Sequence, residues 1–308
     1  MEDTQKPLVS VVVPSYNYSK FIERCLYSIF NQTYPNLELI IVDDCSKDQS
    51  VQIISRIINA EEFKSRFHGR IQLHVNQHNK GAHNAINFGL SLAQGDYLTI
   101  INADDLYEEN RFEEIITQMQ INKGDISFSR VKVIDENDDP ISNDNQEAQH
   151  FNSLQDNIAN FPTVGFSMVP HNVAISTGNM VFKNSLFQAV GKFKNLRYCH
   201  DWDFILRATL VTEPIYISST YYCYRLHGNN TFRSLSKIMN REVATVLGAF
   251  FKEVRKGNFR NNITFSKLNY PENFQRVIGN CNLQSFWSFS KSPMNVLFQL
   301  RQKVLDKK

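Results

Sequence analysis

Short apolar runs alternate with amphipathic stretches through the first third of the chain. Residues 8–14 read LVSVVVP, a run rich in β-branched side chains that is typical of a buried strand. In the stretch that follows, Phe21, Cys25 and Ile29 recur every four positions, as they would on one face of a helix. The predicted strands are 8–14, 37–42, 71–75 and 97–101, and the predicted helices are 19–33, 48–59, 82–93 and 110–119.

Strands that alternate with helices of about ten to fifteen residues are typical of right-handed crossover connections. Such connections place consecutive strands parallel to each other, because a parallel partner is reached through a long crossover rather than a tight turn. The helices then cover both faces of the sheet. The sequence therefore predicts an α/β fold with a mostly parallel sheet flanked by helices.

The pattern after residue 125 is less regular and includes one long polar stretch. Residues 135–170 are rich in Asn, Asp and Gln, and we interpret them as a variable excursion that lines the site. Gly178 and Asn179 interrupt a strand-like run, at a point where backbone can approach a ligand. The predicted elements here are strands at 125–134, 174–182 and 215–226, a helix at 200–210, and further helices from residue 233 onward.

Polar side chains follow three of the predicted strands at their carboxyl ends. The clusters read PSYN at 14–17, DDCS at 43–46 and NADD at 102–105. In an open parallel sheet, ligands bind outside the carboxyl ends of the strands, so we expect these clusters to share one rim. Adjacent carboxylates such as Asp104 and Asp105 repel each other unless a cation lies between them, although acidic pairs also occur in solvated turns. Their position on a common rim favours a ligand site.

Two or three carboxylates on one rim suit a hard divalent cation. Mg²⁺ in proteins is usually held by carboxylates together with substrate phosphates, so a nucleoside diphosphate is the expected ligand. The chain contains neither GxGxxG nor GxxxxGK[ST], the glycine-rich signatures of dinucleotide sites and P-loops. Dehydrogenase and kinase functions are therefore disfavoured.

Three segments of the sequence carry a resemblance to a known family. They read VSVVVPSYNYSKFIERCLYSIFNQTYPNLELIIVDDCSKD, NKGAHNAINFGLSLAQGDYLTIINADD and HDWDFILR, in that order. Together they resemble a family-2 inverting glycosyltransferase of the GT-A fold over about residues 7–230. The resemblance implies a catalytic domain at 1–230, with a nucleotide half at about 7–105 and an acceptor half at about 106–230. A basic, mainly helical region would follow at 231–308.

The resemblance implies that the donor nucleotide binds to the first half of this domain. Pro14 and Tyr16 would line the nucleobase pocket, although PSYN is also compatible with a simple turn at the end of a strand. Asp44 would accept a hydrogen bond from the imide N–H of a pyrimidine. Ile86 stands where the family often has Arg, so Lys80 would supply charge toward the diphosphate instead.

The NADD cluster would hold the ribose and the metal. By resemblance, Asp104 would bind the ribose hydroxyls and Asp105 would bind Mn²⁺ or Mg²⁺. Asn102 stands where an acid is common in the family, so the metal would depend on fewer negative charges. His227, in YRLHGNN, would be a third metal ligand or a donor to the diphosphate, with a purely structural histidine as the alternative.

Asp201, in HDWD, matches the catalytic base of the family. The reaction needs a carboxylate within hydrogen-bond reach of the attacking hydroxyl, opposite the departing diphosphate, and inversion by a single displacement follows from that geometry. Asp203 is the alternative base, but on a helix it would point away from Asp201. Asp201 is also a candidate for the N-cap of the helix at 200–210, and His200 stands where Glu is frequent.

The leading hypothesis is an enzyme that moves a sugar from a nucleoside diphosphate sugar to a hydroxyl, with the help of a metal. The resemblance favours UDP or dTDP as the nucleotide, and a glycan or a lipid-linked molecule as the acceptor. A sugar nucleotidyltransferase would need a glycine-rich loop after the first strand, whereas PSYNYSK contains no glycine. A non-catalytic scaffold that binds a sugar or a nucleotide is a further alternative. Such a scaffold would not need the four acids together, namely Asp44, Asp104, Asp105 and Asp201.

Charge is distributed unevenly, although the net charge of the 308 residues is only +2. Residues 233–308 contain 14 Lys and Arg against 4 Asp and Glu, a balance of +10, so the remainder carries −8. Residues 286–308 combine aromatic side chains with a basic amphipathic helix, which is typical of a segment that lies on an anionic membrane. The alternative is that its apolar face packs on the catalytic domain or on a second subunit of a homo-oligomer.

Other sequence features limit the partners and the compartment. The basic region lacks the clustered motifs expected of a protein that binds nucleic acid. The five cysteines are scattered without a CxxC pair, and neither a long apolar run nor a secretory h-region is present. We therefore expect a cytoplasmic protein that can lie on the inner face of the membrane.

Overall fold

The seven predicted strands and one short strand that was not predicted, Leu106–Tyr107, form one eight-stranded sheet. The computed structural model describes residues 6–228 and 236–288. The strands are β1 (Val9–Ser15), β2 (Leu37–Asp43), β3 (Ile71–Val75), β4 (Tyr97–Ile100), β5 (Leu106–Tyr107), β6 (Ile126–Ile134), β7 (Met180–Lys183) and β8 (Ile215–Arg225). The helices are α1 (Ile22–Phe30), α2 (Ser50–Ile58), α3 (Glu61–Arg66), α4 (Ala82–Leu92), α5 (Arg111–Ile121), α6 (Gln146–Asp156), α7 (Val164–Ser167), α8 (Asn184–Val190), α9 (His200–Thr209), α10 (Ser236–Lys256), α11 (Pro271–Asn280) and α12 (Gln284–Ser288).

The first four strands form the parallel half of the sheet. The sheet order is β3-β2-β1-β4-β7-β6-β8-β5, and β1 pairs in parallel with both β2 and β4. Strand β3 pairs in parallel with β2. Ser15 pairs with Asp43 and Asp43 pairs with Val75, so the carboxyl ends of β1, β2 and β3 are level. The predicted α/β fold with a mostly parallel sheet is confirmed.

The second half of the sheet contains a reversed strand. Strand β7 runs antiparallel to both of its neighbours, β4 and β6. The predicted strand at 174–182 is wrong over its first six residues, because the observed strand is Met180–Lys183. A short 3₁₀ turn, Thr177–Asn179, precedes it. The turn forms because the Ser176 hydroxyl accepts the N–H of Gly178, a side-chain bond that competes with a strand ladder.

The polar excursion at 135–170 is more ordered than its composition predicts. It contains α6, a 3₁₀ turn at Asn157–Asn160, and α7. Asn145 caps α6 by accepting two N–H groups of the first turn, at 2.9 and 3.1 Å. The buried amide of Gln155 donates to the backbone carbonyl of Val131 in β6. Helix α6 buries only two apolar side chains, Ala148 and Phe151, which pack with Val133 and Leu226, so its hydrophobic periodicity is too weak to reveal it in the sequence.

Apolar side chains cover both faces of the sheet. Val11 and Val13 face one core with α1, α2 and α5, whereas Val12 faces the opposite core with α4 and α9. The C-terminal helices, as far as they are described, pack against the core that contains Val12, through Leu247 and Phe251 of α10. The basic C-terminal region is therefore mainly helical where it is described, with residues 257–270 in turns and irregular backbone, and it packs on the same core layer as α9.

Phe286 and Trp287, the predicted aromatic membrane anchors, pack among the C-terminal helices. The Trp287 ring lies 4.7 Å from the ring of Phe274 and 5.8 Å from that of Phe251, and Phe286 is buried. These two side chains are therefore part of the core rather than anchors, and residues 289–308 lie outside the described residues. Within the two described ranges, no helix has both the length and the apolar character to cross a bilayer.

Candidate active site

The polar clusters that follow β1, β2 and β4 meet at one rim of the sheet. Strand β1 lies between the other two, and the backbone N–H of Asp44 donates to the carbonyl of Ser15 at 2.8 Å. Asp44, Asp104 and Asp105 are all buried there, whereas the Tyr16 ring is 41% exposed. The predicted residues of the first half therefore come together around one cleft, with Tyr16 free to cover a ligand.

Asp44 closes the loop that leads into α4. Its Oδ1 accepts the side-chain N–H of Asn76 at 2.8 Å and the backbone N–H of Lys80 at 2.9 Å. Its Oδ2 accepts the backbone N–H of Gly81 at 2.7 Å. Gly81 has a φ of +89°, a left-handed conformation that glycine adopts without strain. Three protein N–H groups therefore fix the carboxylate that was predicted to contact the nucleobase.

Lys80 and Pro14, two further predicted residues of the nucleotide site, differ in their exposure to solvent. The ammonium group of Lys80 is exposed and lies 3.4 Å from the side-chain oxygen of Asn76. Pro14 is half-buried at the end of β1, opposite Val42 in the register. Lys80 is thus anchored by its backbone at Asp44, with a side chain free to reorient toward an anion.

Asp105 is held by protein donors on both of its oxygens. Oδ1 accepts the backbone N–H of Arg225 at 2.8 Å, and Oδ2 accepts the side-chain N–H of Asn102 at 3.0 Å and the hydroxyl of Tyr222. Burial, followed by the charge of Asp104, raises the pKa of Asp105 to about 8. A carboxylate with three internal donors supports the architecture of the rim.

Asp104 faces a different set of groups. Its Oδ2 lies 2.9 Å from Nε2 of His227, and both side chains are almost fully buried. Burial raises the pKa of Tyr18, and the charges of Asp104 and Asp105 raise it further. The ring of Phe21 packs on the His227 imidazole, with centroids 4.9 Å apart. Asp104 and His227 thus form a carboxylate–imidazole pair backed by aromatic side chains.

This pair has suitable chemistry for a divalent metal of the Mn²⁺ type. Carboxylate and imidazole are both ligands that such metals accept, and a cation would offset the repulsion between Asp104 and Asp105. Among residues 6–228 and 236–288, no cluster of three or more His, Cys, Asp or Glu side chains is arranged to hold a metal. Asp104 and His227 are therefore two protein groups of suitable chemistry, and a metal bound to them would need further ligands from outside the described residues or from a substrate.

Asp201 lies in the first turn of α9, and it is not the N-cap. The N-cap is Cys199, because the first helical hydrogen bond runs from Asp203 N to Cys199 O. The carboxylate of Asp201 accepts the N–H of Trp202 at 2.7 Å and the side-chain N–H of Asn172 at 2.9 Å. Burial raises the pKa of Asp201, and this outweighs the opposing effects of His200 and the two hydrogen bonds.

Asp203, the alternative base, is neutralised by two cations. Its Oδ1 lies 2.7 Å from the ammonium group of Lys194, and its Oδ2 lies 2.7 Å from Nε of Arg207. The Arg207 guanidinium also donates to the backbone carbonyl of Val190 at 2.6 Å. Asp203 therefore fixes α9 to the segment before it, and Asp201 is the acid whose proton affinity is raised.

The 3₁₀ turn before β7 connects the loop that carries Asp104 and Asp105 with the first turn of α9, which carries Asp201. On one side, the hydroxyl of Ser176 accepts the side-chain N–H of Asn102 at 3.0 Å. On the other side, Thr177 Oγ1 lies 3.1 Å from Nε2 of His200, the residue before Asp201. Asn102 and His200, two of the three departures from the family pattern, are therefore connected through adjacent residues of one turn.

Sequence reasoning missed three residues of this site. Tyr18 lies two residues after Tyr16 in the quoted motif, and this nearness to a predicted site residue was its only signal in the sequence. Tyr222 and Asn172 carried no local signal, because their roles come from contacts with distant acids. Gly178, predicted to let backbone approach a ligand, instead admits the Tyr222 ring: an added Cβ would lie 2.7 Å from Cζ and still closer to the hydroxyl.

Comparison with known proteins identifies relatives over most of the catalytic region. Residues 10–190 match the model of glycosyl transferase family 2. Glycosyltransferase GlyG of Streptococcus pneumoniae is 38% identical over 132 residues, which cover 42% of this chain and 41% of GlyG. An uncharacterized glycosyltransferase of Haemophilus influenzae is 28% identical over 289 residues, 93% of this chain and 82% of that protein. TuaG of Bacillus subtilis, a putative teichuronic acid biosynthesis glycosyltransferase, is 33% identical over 136 residues, 44% of this chain and 51% of TuaG. The alignments thus span less than two thirds of GlyG and TuaG.

Two solved structures share the architecture. Staphylococcus aureus TarS in complex with UDP-GlcNAc superposes with a TM-score of 0.61 at 17% identity, over 89% of this chain and 80% of that chain. The mannosyltransferase PcManGT from Pyrobaculum calidifontis, in complex with GDP-Man and Mn²⁺, gives 0.57 at 17% identity, over 98% and 81%. At these identities the likeness establishes the GT-A fold alone. Since the family model covers more than half of the sequence, the chain belongs to glycosyl transferase family 2, and it has the GT-A fold.

Proposed function

We propose that this enzyme transfers a sugar from a nucleoside diphosphate sugar to a hydroxyl of a glycan or lipid-linked acceptor, with inversion and with a divalent metal. One observation carries the proposal. Asp201 is a buried carboxylate with a raised pKa, and its neighbour His200 is connected through Thr177, Ser176 and Asn102 to Asp105, the residue beside Asp104. A base separated from a nucleotide-side acidic centre is the arrangement that a single displacement requires.

The support for a pyrimidine nucleotide comes from the bonds that Asp44 already makes. A carboxylate offers about four lone-pair positions, and three protein N–H groups make four contacts with Asp44, because the N–H of Lys80 is shared between Oδ1 at 2.9 Å and Oδ2 at 3.0 Å. The shared N–H can release one position to a ligand, and one position suits the single imide N–H of uracil or thymine better than the two neighbouring N–H groups of guanine. The Tyr16 ring and Pro14 would pack on the base. We therefore expect UDP or dTDP donors to bind more tightly than GDP donors.

The metal would be held by Asp104 and His227, with the donor diphosphate completing its coordination. This differs from the expectation that Asp105 binds the metal, because all three donors to Asp105 come from the protein. An imidazole ligand favours Mn²⁺ over Mg²⁺, which prefers oxygen. When bound, the metal supplies positive charge that stabilises the leaving diphosphate. Asp105 would keep Arg225 and the end of β8 in place behind it.

Asp201 would accept the proton of the attacking hydroxyl. Its raised pKa brings the carboxylate closer to the range in which a base works efficiently near neutral pH. The hydrogen bond from Asn172 to Oδ2 fixes the orientation of the carboxylate. Attack from the side opposite the departing diphosphate inverts the anomeric carbon, as in inverting glycosidases.

A binding panel tests the donor and the metal together. Thermal shifts and calorimetry with UDP-, dTDP- and GDP-sugars, each with Mn²⁺, Mg²⁺ or EDTA, should show the largest response for a pyrimidine nucleotide with Mn²⁺. A response limited to GDP-sugars would overturn the role of Asp44. Nucleoside diphosphate release that survives exhaustive EDTA treatment would overturn the metal requirement.

A polymeric or lipid-linked acceptor is supported by the charge of the C-terminal region. The +10 balance of residues 233–308 would favour anionic surfaces, and Lys267 and Leu268 are exposed on the described part of this region. Sedimentation with anionic vesicles at low salt should retain the full chain more strongly than a chain shortened to end at residue 288. Equal retention of both chains would assign residues 289–308 to a role other than membrane binding, such as contact with a second subunit.

A further inference from the structure

One buried carboxylate of the C-terminal region contacts the beginning of the helix that carries Asp201. Glu242 lies on α10 and is 8% exposed. Its Oε1 accepts the backbone N–H of Arg197 at 2.8 Å, and its Oε2 accepts those of Tyr198 at 2.7 Å and Cys199 at 3.0 Å. Three consecutive peptide N–H groups thus converge on one side chain that lies more than 40 residues later in the chain.

These N–H groups lie at the point where α9 begins. The first N–H groups of any helix have no partner within the helix, so they need another acceptor. In a capping box, a Glu at the third helical position accepts the N–H of the N-cap. In α9 the N-cap is Cys199, which makes no side-chain cap, and Trp202 occupies the third position. Glu242 supplies the missing acceptor from another helix.

The segment that Glu242 holds is adjacent to the proposed catalytic base. Asp201 comes two residues after Cys199, and His200 lies between them. Burial raises the pKa of Tyr198, and the charges of Cys199 and Asp201 add to the effect, which places this phenol within electrostatic reach of the base. A rotation of the first turn of α9 would therefore move Asp201 together with the residues bound to Glu242.

We infer that Glu242 is a positioning residue for sugar transfer: by holding the backbone of residues 197–199, it fixes the first turn of α9 and the direction of Asp201. The inference rests on the proposed role of Asp201 as the base. It gives the C-terminal region a part in catalysis through the geometry of α9. Glu242 acts through backbone contacts, so it is not itself a catalytic residue.

The opposite end of α9 offers a matched control. The side-chain N–H of Asn261, which is buried, donates to the carbonyl of Thr209 at 3.0 Å. Asn261 thus joins the same C-terminal region to the same helix, but at its last residue. At 1.5 Å per residue, about 12 Å of helix separates Thr209 from Asp201. Asn261→Ala should therefore remove a buried contact of the C-terminal region without changing the direction of the base.

Hydrogen exchange on the full-length chain tests the contact without any substrate. In Glu242→Ala, the amides of the segment 196–204 should exchange about tenfold faster or more, because their acceptor is gone. Glu242→Gln keeps an acceptor oxygen and should give an intermediate rate, and it also replaces the Ala variant if that variant fails to fold. Asn261→Ala should leave this segment unchanged. Wild-type exchange at 196–204 in both Glu242 variants would show that the contact does not fix α9.

Kinetics then separate a positioning role from a purely structural one. With UDP-GlcNAc or GDP-mannose, whichever stabilises the chain more, we expect kcat for nucleoside diphosphate release to fall about 100-fold in Glu242→Ala, the scale of a displacement of about 1 Å. KM for the donor should stay within about twofold, Glu242→Gln should restore part of kcat, and Asn261→Ala should retain it. Equal loss of kcat in Asn261→Ala, or faster exchange with unchanged kcat, would overturn the positioning role. A wild-type chain that releases nucleoside diphosphate from none of the UDP-, dTDP- and GDP-sugars of the binding panel would refute the proposed function instead, and the exchange result would still decide whether Glu242 fixes α9.

Discussion

Asp201→Asn removes the proposed base while preserving the shape of its surroundings. The wild-type carboxylate accepts one N–H from Trp202 and one from Asn172. An amide has the same size but only one acceptor oxygen, so one of these N–H groups loses its partner. An unpaired buried N–H costs about 1–3 kcal/mol, and above the pKa of Asp201 the removal of a buried charge acts in the opposite direction. At acidic pH the wild-type carboxyl group is itself neutral and has the same shape as the amide, so we expect the variant to fold there with a loss of stability of no more than about 1–3 kcal/mol.

The effect of this substitution on catalysis should be much larger. Loss of a general base typically lowers kcat by about 10²- to 10⁴-fold, which corresponds to about 2.7–5.4 kcal/mol in the activation barrier. The proposed donor contacts, with Asp44 and Asp104, are separate from Asp201, so KM for the donor should change by no more than about twofold. A fall in kcat at constant donor KM is the expected signature.

The pH dependence of the same variant provides a second test. Burial raises the pKa of Asp201 above its ordinary value of 3.8, so the unfolded chain releases this proton at lower pH than the folded chain does. Wild-type stability should therefore be greatest below the ordinary value and fall as pH rises through the raised pKa. Asp201→Asn lacks this loss, so its melting temperature relative to wild type should increase with pH. Wild-type kcat should rise over the same window, because only the ionised carboxylate accepts a proton.

Nucleoside diphosphate release and thermal unfolding, each measured from about pH 4 to pH 8, provide the assays. Asp203→Asn is the control, because it removes a carboxylate that is paired with Lys194 and Arg207. It should lower the melting temperature while kcat stays within a few fold of wild type. If Asp201→Asn releases nucleoside diphosphate at the wild-type rate and Asp203→Asn does not, the assignment of the base is wrong and Asp203 takes its place.

Three further substitutions test the rest of the site. His227→Ala should weaken donor binding measured with Mn²⁺ by calorimetry but leave metal-free binding unchanged; equal losses in both conditions would count against a metal ligand. Gly178→Ala should lower the free energy of unfolding by about 1–3 kcal/mol, because the new methyl group overlaps a tyrosine ring. Gly248→Ala, which has open space at its Cβ, is the control and should not lower it. Equal denaturant midpoints for the two variants would contradict this prediction. Asp44→Ala should abolish UDP binding and accelerate amide exchange at 76–81, and intact UDP affinity would exclude Asp44 from the nucleobase site.

The parallel half of the fold was predictable because its signals are local. The β-branched run around Val11 and the four-residue spacing of Phe21 and Cys25 are properties of short segments, and the structure forms β1 and α1 from them. The rim followed from one general rule, that ligands bind at the carboxyl ends of parallel strands. Asp44 and Asp104 could therefore be placed on a common edge before any contact was known.

The separate roles of neighbouring acids in the site were not predictable from the sequence, because these roles depend on contacts between distant segments. Asp104 and Asp105 are neighbours with the same chemistry, and only the hydroxyl of Tyr222 and the N–H of Arg225 distinguish them. Asp201 and Asp203 of α9 also look equivalent in sequence. Lys194 forms an ion pair with Asp203, whereas burial raises the pKa of Asp201. Local patterns carry no information about such pairings.

The acid pair at the end of β4 is completed by a segment that is synthesised much later. The contacts to Tyr222, Arg225 and His227 span 117, 120 and 123 residues, respectively. At about 5–20 residues per second, a ribosome needs about 6 to 24 s to add the intervening chain. During that time the two carboxylates lie on a nascent sheet without the strand that partners them. We therefore expect the acid pair to reach its final arrangement, and metal affinity to appear, only after β8 has joined the sheet.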